Sequence, residues 1–160
     1  MRNDEERLNV YNESGEDGLR GYLGTPEEID FDRINKELSE FKAGKDIIEI
    51  KHMGREDGDI SYDETDFTGI KVLILEWTHG GSEYLKGVDI PVFLESSPEE
   101  TKARRIKRGR DENAASPFIC RVVELEQEKL DLQGKNARIV VGKDGKVYEP
   151  VSYTHLTLPT

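Results

Sequence analysis

The stretch from Lys71 to Asp111 constrains the fold most. It opens on Val72-Leu73-Ile74-Leu75 and ends that run in Glu76. Four branched apolar residues bounded by turn signals read as a strand buried on both faces. A second apolar run follows, Ile90-Pro91-Val92-Phe93-Leu94. Ser97-Pro98-Glu99-Glu100 then has the form of a helix start. Ser97 is a capping residue, Pro98 suits the first helical position, and Glu100 is the capping-box partner. The helix so opened carries Lys102, Arg104, Arg105, Lys107 and Arg108, with Arg110 just beyond. Strand, acidic residue, strand and arginine-laden helix, in that order, suit an α/β protein that handles phosphate.

Charge and length bound the rest. The 160 residues allow one domain. Hydrophobic residues make up 34% and charged residues 36%, against roughly 45–50% (glycine included) and 25% in ordinary globular chains. The chain is therefore short of core. The net charge of −11 disfavours general binding to nucleic acid or membrane. The basic residues at 102–110 still form a local site for an anion. The single cysteine, Cys120, excludes an internal disulfide and reads as a small core residue on a helix. The absence of a signal-peptide pattern and of a long apolar run makes a cytoplasmic protein the expectation.

Along the chain, Arg2 to Tyr11 reads as a short helix and Gly15–Gly24, with four glycines, as a loop. Within 25–44, Phe31, Ile34, Leu38 and Phe41 recur at spacings of three, four and three, one apolar stripe on a helix. Asp30 is its expected N-cap and Gly44 its stop, with Lys36, Glu37 and Glu40 facing water. Ile47–Ile50 and Ile60–Tyr62 are strands of a hairpin around a polar loop from Lys51 to Gly58. Ser116-Pro117 opens another helix, to about Leu132. Its apolar face is Phe118, Cys120, Val122, Val123, Leu125 and Leu130. Arg138–Val141 is a last strand, turned at Lys143–Lys146 into Val147-Tyr148.

The segments KVLILEWTHG and VDIPVFLESSPEETKARRIKRGRD resemble the second half of P-loop kinases of the uridine kinase and phosphoribulokinase type. Their later helix–lid segment carries an Arg-rich run, often with Arg-Gly-Arg-Asp in it, here Arg108-Gly109-Arg110-Asp111, and the resemblance covers about 3–132. It implies an α/β fold, an incomplete P-loop NTPase-type parallel sheet with flanking helices and a β-hairpin. It implies ATP and Mg2+ as cofactors and phosphoryl transfer to a hydroxyl on a small acceptor, uridine first among them. Adenylylsulfate and other acceptors of the superfamily stay open, as does a non-catalytic acidic binding or regulatory protein. Homo-oligomerisation is left open too. Family members commonly have glycine where Trp77 stands, which argues for a variant acceptor pocket.

By this resemblance Glu76 is the strand-end carboxylate beside metal and substrate. Arg105 and Arg108 are catalytic candidates, and Arg108 and Arg110 nucleotide contacts. His52, Arg55 and His79 are acceptor-binding candidates. Thr78-His79-Gly80-Gly81 lacks metal-ligand spacing, so no zinc site is expected. The phosphate-binding motif G-x-x-x-x-G-K-[ST] occurs nowhere in the 160 residues. The family's catalytic carboxylate segment is missing too. The expectation is a kinase-like part over 1–150 that begins after both. Without the amides and lysine of that loop the phosphates have no cradle, so the chain alone is expected to turn over no ATP. Val151–Thr160 is uncharged and looks like a translated sequencing adapter, hence a non-native tail.

Overall fold

The computed structural model describes residues 4–53, 60–108 and 116–149. The chain is mixed α/β with small sheets and divides into two compact units. The first comprises Met1–Trp77 and Tyr84–Val88, the second Thr78–Glu83 and Asp89–Thr160. Val151–Thr160 lies outside the described residues.

In the first unit, α1 (Asp4–Tyr22) is helical on both sides of a kink at Gly15, whose φ of 68° and ψ of −162° are not helical. The loop expected over Gly15–Gly24 is therefore corrected: helical turns resume after Gly15. Leu19, Tyr22 and Leu23 are buried there. Burying each large apolar side chain stabilises by about 1.5–3 kcal/mol, which outweighs the roughly 1 kcal/mol cost of each interior glycine. Arg7 on the same helix is buried as well. Its Nε donates to Glu28 Oε1 at 2.6 Å, and its Nη2 donates to the same oxygen. Glu28 Oε2 accepts from the Gly24 backbone N–H at 2.6 Å. One carboxylate thus ties the N-terminal turn of α1 to the turn that follows the helix.

The apolar stripe forms α2 (Phe31–Lys42) as expected. Asp30 Oδ1 accepts from Arg33 N at 3.0 Å, and Gly44 takes a positive φ of 77° where the chain leaves. Phe31, Leu38 and Leu85 make the core, with Ile29, Ile34 and Trp77 packed on it. Trp77 meets Phe31 edge-on at 5.4 Å and Tyr84 lies 5.3 Å from the same ring. Asn35 holds that side by donating to Tyr84 O at 2.9 Å and accepting from Lys86 N at 2.7 Å. Glu37 does not face water freely: it accepts from Arg33 Nε at 2.7 Å, and both are half-buried.

β1 (Ile47–Met53) and β2 (Ile60–Asp66) form an antiparallel hairpin in register from Ile47↔Asp66 to Met53↔Ile60. Both strands are longer than the alternation suggested, so Lys51 and His52 belong to a strand rather than to the loop. Cross-strand partners recruit polar residues into the ladder through the backbone, whatever their side chains.

The second unit holds β3 (Val92–Leu94), α3 (Pro98–Arg108), α4 (Pro117–Gly134), β4 (Ile139–Val141) and β5 (Val147–Tyr148). The sheet order is β3-β4-β5, β3 parallel to β4 and β5 antiparallel to it. Ile119, Val122, Leu125, Ala137 and Val140 form its buried side. Ile119 was not on the expected face, and Phe118 and Cys120 are half-buried. Gly134 closes α4 against β3, where an added Cβ would meet the Phe93 ring at 3.1 Å.

The largest correction concerns Val72–Leu75. It is not a buried strand: it pairs with no strand among the described residues and its side chains are exposed. An apolar run becomes an interior strand only where neighbours supply hydrogen-bond partners and cover both faces. The described residues supply neither.

Candidate functional site

β3 and β4 are the parallel pair among the described residues, and ligands of open α/β sheets bind beyond the carboxyl ends of such strands. Glu95 N donates to Val141 O at 2.9 Å, carrying the pairing one step past β3. Beyond it stand Glu95, Ser96 and Ser97 on one side and Gly142, Lys143 and Asp144 on the other.

The capping box forms as its spacing required. Ser97 Oγ accepts from Glu100 N at 3.2 Å, and Glu100 Oε2 accepts from Ser97 N at 3.0 Å. The box stops the chain from running on in β3's direction and starts α3 at the strand end. Ser96 Oγ lies 3.1 Å from Thr101 Oγ1. The Glu99 carboxyl is held below its ordinary range, first by its own backbone N–H and then by the Ser97 hydroxyl.

Across from it, Asp144 organises the β4–β5 turn. It accepts from Lys146 N at 3.0 Å and lies 2.8 Å from Lys146 Nζ. Lys146 is the main cause that lowers its carboxyl, with Tyr148 assisting. A Cβ on Gly142 would come within 2.8 Å of the Tyr148 ring, so this turn packs tightly against the strand end.

The sequence candidates distribute as follows. Arg105 and Arg108 lie on α3 by backbone; their side chains, and all of Arg55 and Arg110, are outside the described residues. Arg104 and Lys107 on the same helix are exposed. His79, expected to touch an acceptor, is buried in the turn at 1% exposure, its carbonyl accepting from Ser82 N at 3.0 Å. In the first unit Glu76 is exposed and, with no strand formed before it, does not occupy a strand's carboxyl end. His52 on β1 is exposed, its Nε2 3.8 Å from Asp63 Oδ2. Among the described residues no group of three His, Cys, Asp or Glu side chains is placed to hold a metal.

Ser96, Thr101 and Lys143 at the β3–β4 ends were not singled out from sequence. Their signal was position alone, just after two apolar runs. The arrangement sets hydroxyls and a lysine at the strand ends and basic residues further along α3. Guanidinium and ammonium groups are the donors that phosphate oxygens take. No helix among the described residues is long and apolar enough to cross a membrane.

No protein-family model matches the chain, and no solved structure matches it. Over 148 residues, 92% of its length, it is 74% identical to a protein of Mediterraneibacter gnavus named bifunctional alpha-galactosidase/sucrose kinase AgaSK. The chain spans 16% of that relative's length.

Proposed function

We propose that this chain is part of an ATP-dependent kinase that transfers a phosphoryl group to a saccharide hydroxyl, with sucrose the first acceptor to test. The observation that carries the reading is the 74% identity over 148 residues to a protein whose name includes sucrose kinase. That name also carries a galactosidase activity, and the chemistry of the residues favours the kinase. Glycoside hydrolysis turns on a pair of carboxylates flanking the bond. Phosphoryl transfer turns on cationic donors around the phosphate, and α3 is the basic helix that the P-loop kinase resemblance points to. That resemblance implies a nucleoside acceptor; the named relative moves the first choice to a sugar. ATP and Mg2+ belong to this reading. Mg2+ in such sites takes one or two carboxylates besides phosphate oxygens and water; the resemblance offers Glu76 for that role, and the described residues bring no second carboxylate, His or Cys cluster to it.

The test is made on the polypeptide at the relative's full length, with ATP, Mg2+ and either sucrose or uridine, followed by ADP release. Arg105→Ala and Arg108→Ala are expected to lower kcat for sucrose phosphorylation about 100-fold or more and to leave galactoside hydrolysis unchanged. Loss of galactoside hydrolysis with phosphorylation intact would overturn the reading.

A further inference from the structure

The chain leaves the first unit after Trp77 and comes back to it for Tyr84–Val88 alone. That short return is pinned to α2. Asn35 Nδ2 donates to Tyr84 O at 2.9 Å, Lys86 N donates to Asn35 Oδ1 at 2.7 Å, and Lys42 Nζ donates to Gly87 O at 3.2 Å. Leu85 joins Phe31 and Leu38 in the core. Filling the core needs that leucine only. It does not call for a tyrosine before it that is held in place and still 38% exposed. Tyr84 and Trp77 both rest on Phe31, their ring centroids 5.3 Å and 5.4 Å from its own. Two large rings are thus fixed at the edge of the core, with few torsions left to order when a ligand arrives. Trp77 is half-buried, and Glu76, just before it in the chain, is exposed.

We propose that Tyr84 and Trp77 form a stacking surface for a neutral saccharide, and that Tyr84 sets acceptor specificity there. The rings take the C–H face of the sugar. The Glu76 carboxylate has two acceptor oxygens, so one is left for a sugar hydroxyl even where the other meets a metal. Aromatic side chains with a few polar groups at fixed places are the usual make-up of small-molecule sites. Charge narrows the ligand class. The first unit carries 21 Asp and Glu against 11 Lys and Arg, the second 13 against 12. So acidic a surround raises the cost of bringing an anion to Tyr84 and leaves an uncharged ligand unaffected. The proposal rests on the saccharide reading given above and adds to it the residues that hold the sugar.

Trp77 is the single tryptophan of the chain, so its fluorescence reports on the site without a label. Sucrose is titrated into the 160-residue chain, with glycerol as the viscosity control, and a saturable change in emission is expected. Tyr84→Ala should weaken binding about 10-fold or more, and Tyr84→Phe, which keeps the ring, should stay within about twofold of the parent. Saturation-transfer NMR needs no variant: on irradiation of the aromatic protons, the ring C–H protons of sucrose should receive the transfer. Absence of both signals in the parent chain would overturn the proposal. So would a Tyr84→Ala chain that keeps its circular dichroism and binds sucrose as tightly as the parent. Tighter binding of uridine or glucose 6-phosphate than of sucrose would overturn the neutral-saccharide assignment. Binding is read here without phosphoryl transfer. Sucrose bound through Tyr84, with no ADP released at full length, would refute the kinase reading and leave this site standing; ADP release with no sucrose at Tyr84 would do the reverse.

Discussion

Loss of Glu28 is expected to destabilise the first unit strongly. The Glu28 side chain and that of Arg7 are 5% and 4% exposed. Replacement by alanine removes the buried carboxylate that the guanidinium faces and both hydrogen bonds to it, leaving the more exposed Asp4 Oδ1 at 3.8 Å from Arg7 Nη1. The Gly24 N–H loses its acceptor as well. Breaking one side of a buried pair costs about 3–5 kcal/mol, mostly the desolvation of the charge left behind. Domains have about 5–15 kcal/mol in hand, so Glu28→Ala takes a large share of it. The pair itself adds little over apolar packing, so the double variant Arg7→Met with Glu28→Leu is expected to regain most of the loss. Urea unfolding followed by circular dichroism at 222 nm reads both effects. An exposed pair, Arg20 with Glu16, separates helix propensity from burial: both are about two-fifths exposed, and Arg20→Ala is expected to cost under about 1 kcal/mol. A Glu28→Ala cost no larger than that of Arg20→Ala would refute the account of the buried pair. A double variant no better than the single one would refute the claim that the stranded charge is the origin of the cost.

Two further outcomes are expected. Ser97→Ala opens the capping box of α3 and should destabilise the second unit by about 1 kcal/mol, read as a lower Tm; Ser97→Asp, which caps as well, should restore it. The Tyr22 phenol is pushed up to about 12 by burial, with Glu6 and Glu28 adding to it. Its neutral form is therefore the one the fold favours. The stabilisation is complete below pH 10, where an unfolded tyrosine is still protonated, and is lost as pH rises from 10 towards 12. A spectrophotometric titration at 295 nm should show one tyrosine ionising well after the others, and Tyr22→Phe should remove that late step.

The local signals were legible because each is closed within a few residues. Asp30 caps α2 through Arg33 N, Ser116 caps α4 through Ile119 N, and Ser97 and Glu100 bond one another. An i to i+3 hydrogen bond needs nothing but the turn that makes it, so spacing suffices to foresee it. The stripe of α2 and the β4–β5 turn were readable in the same way. Readings that needed a distant partner fared differently. The glycines of α1 pointed to a loop, and the burial of Leu19, Tyr22 and Leu23 overrode them. His79 looked like a loop residue open to a ligand, and packing buried it.

The candidate site divides along the same line. The sequence alone determined where α3 begins, that basic residues fill its later turns, and that an apolar run precedes Glu76. Only the tertiary structure decided that β3 and β4 lie parallel, bringing Ser96 and Lys143 to adjacent strand ends. It alone left Val72–Leu75 unpaired among the described residues. The reason is physical. A helix satisfies its own backbone within the segment, so its ends and faces are written locally. A strand satisfies its backbone only through another strand, and which one that is depends on chain far away or outside the sequence in hand.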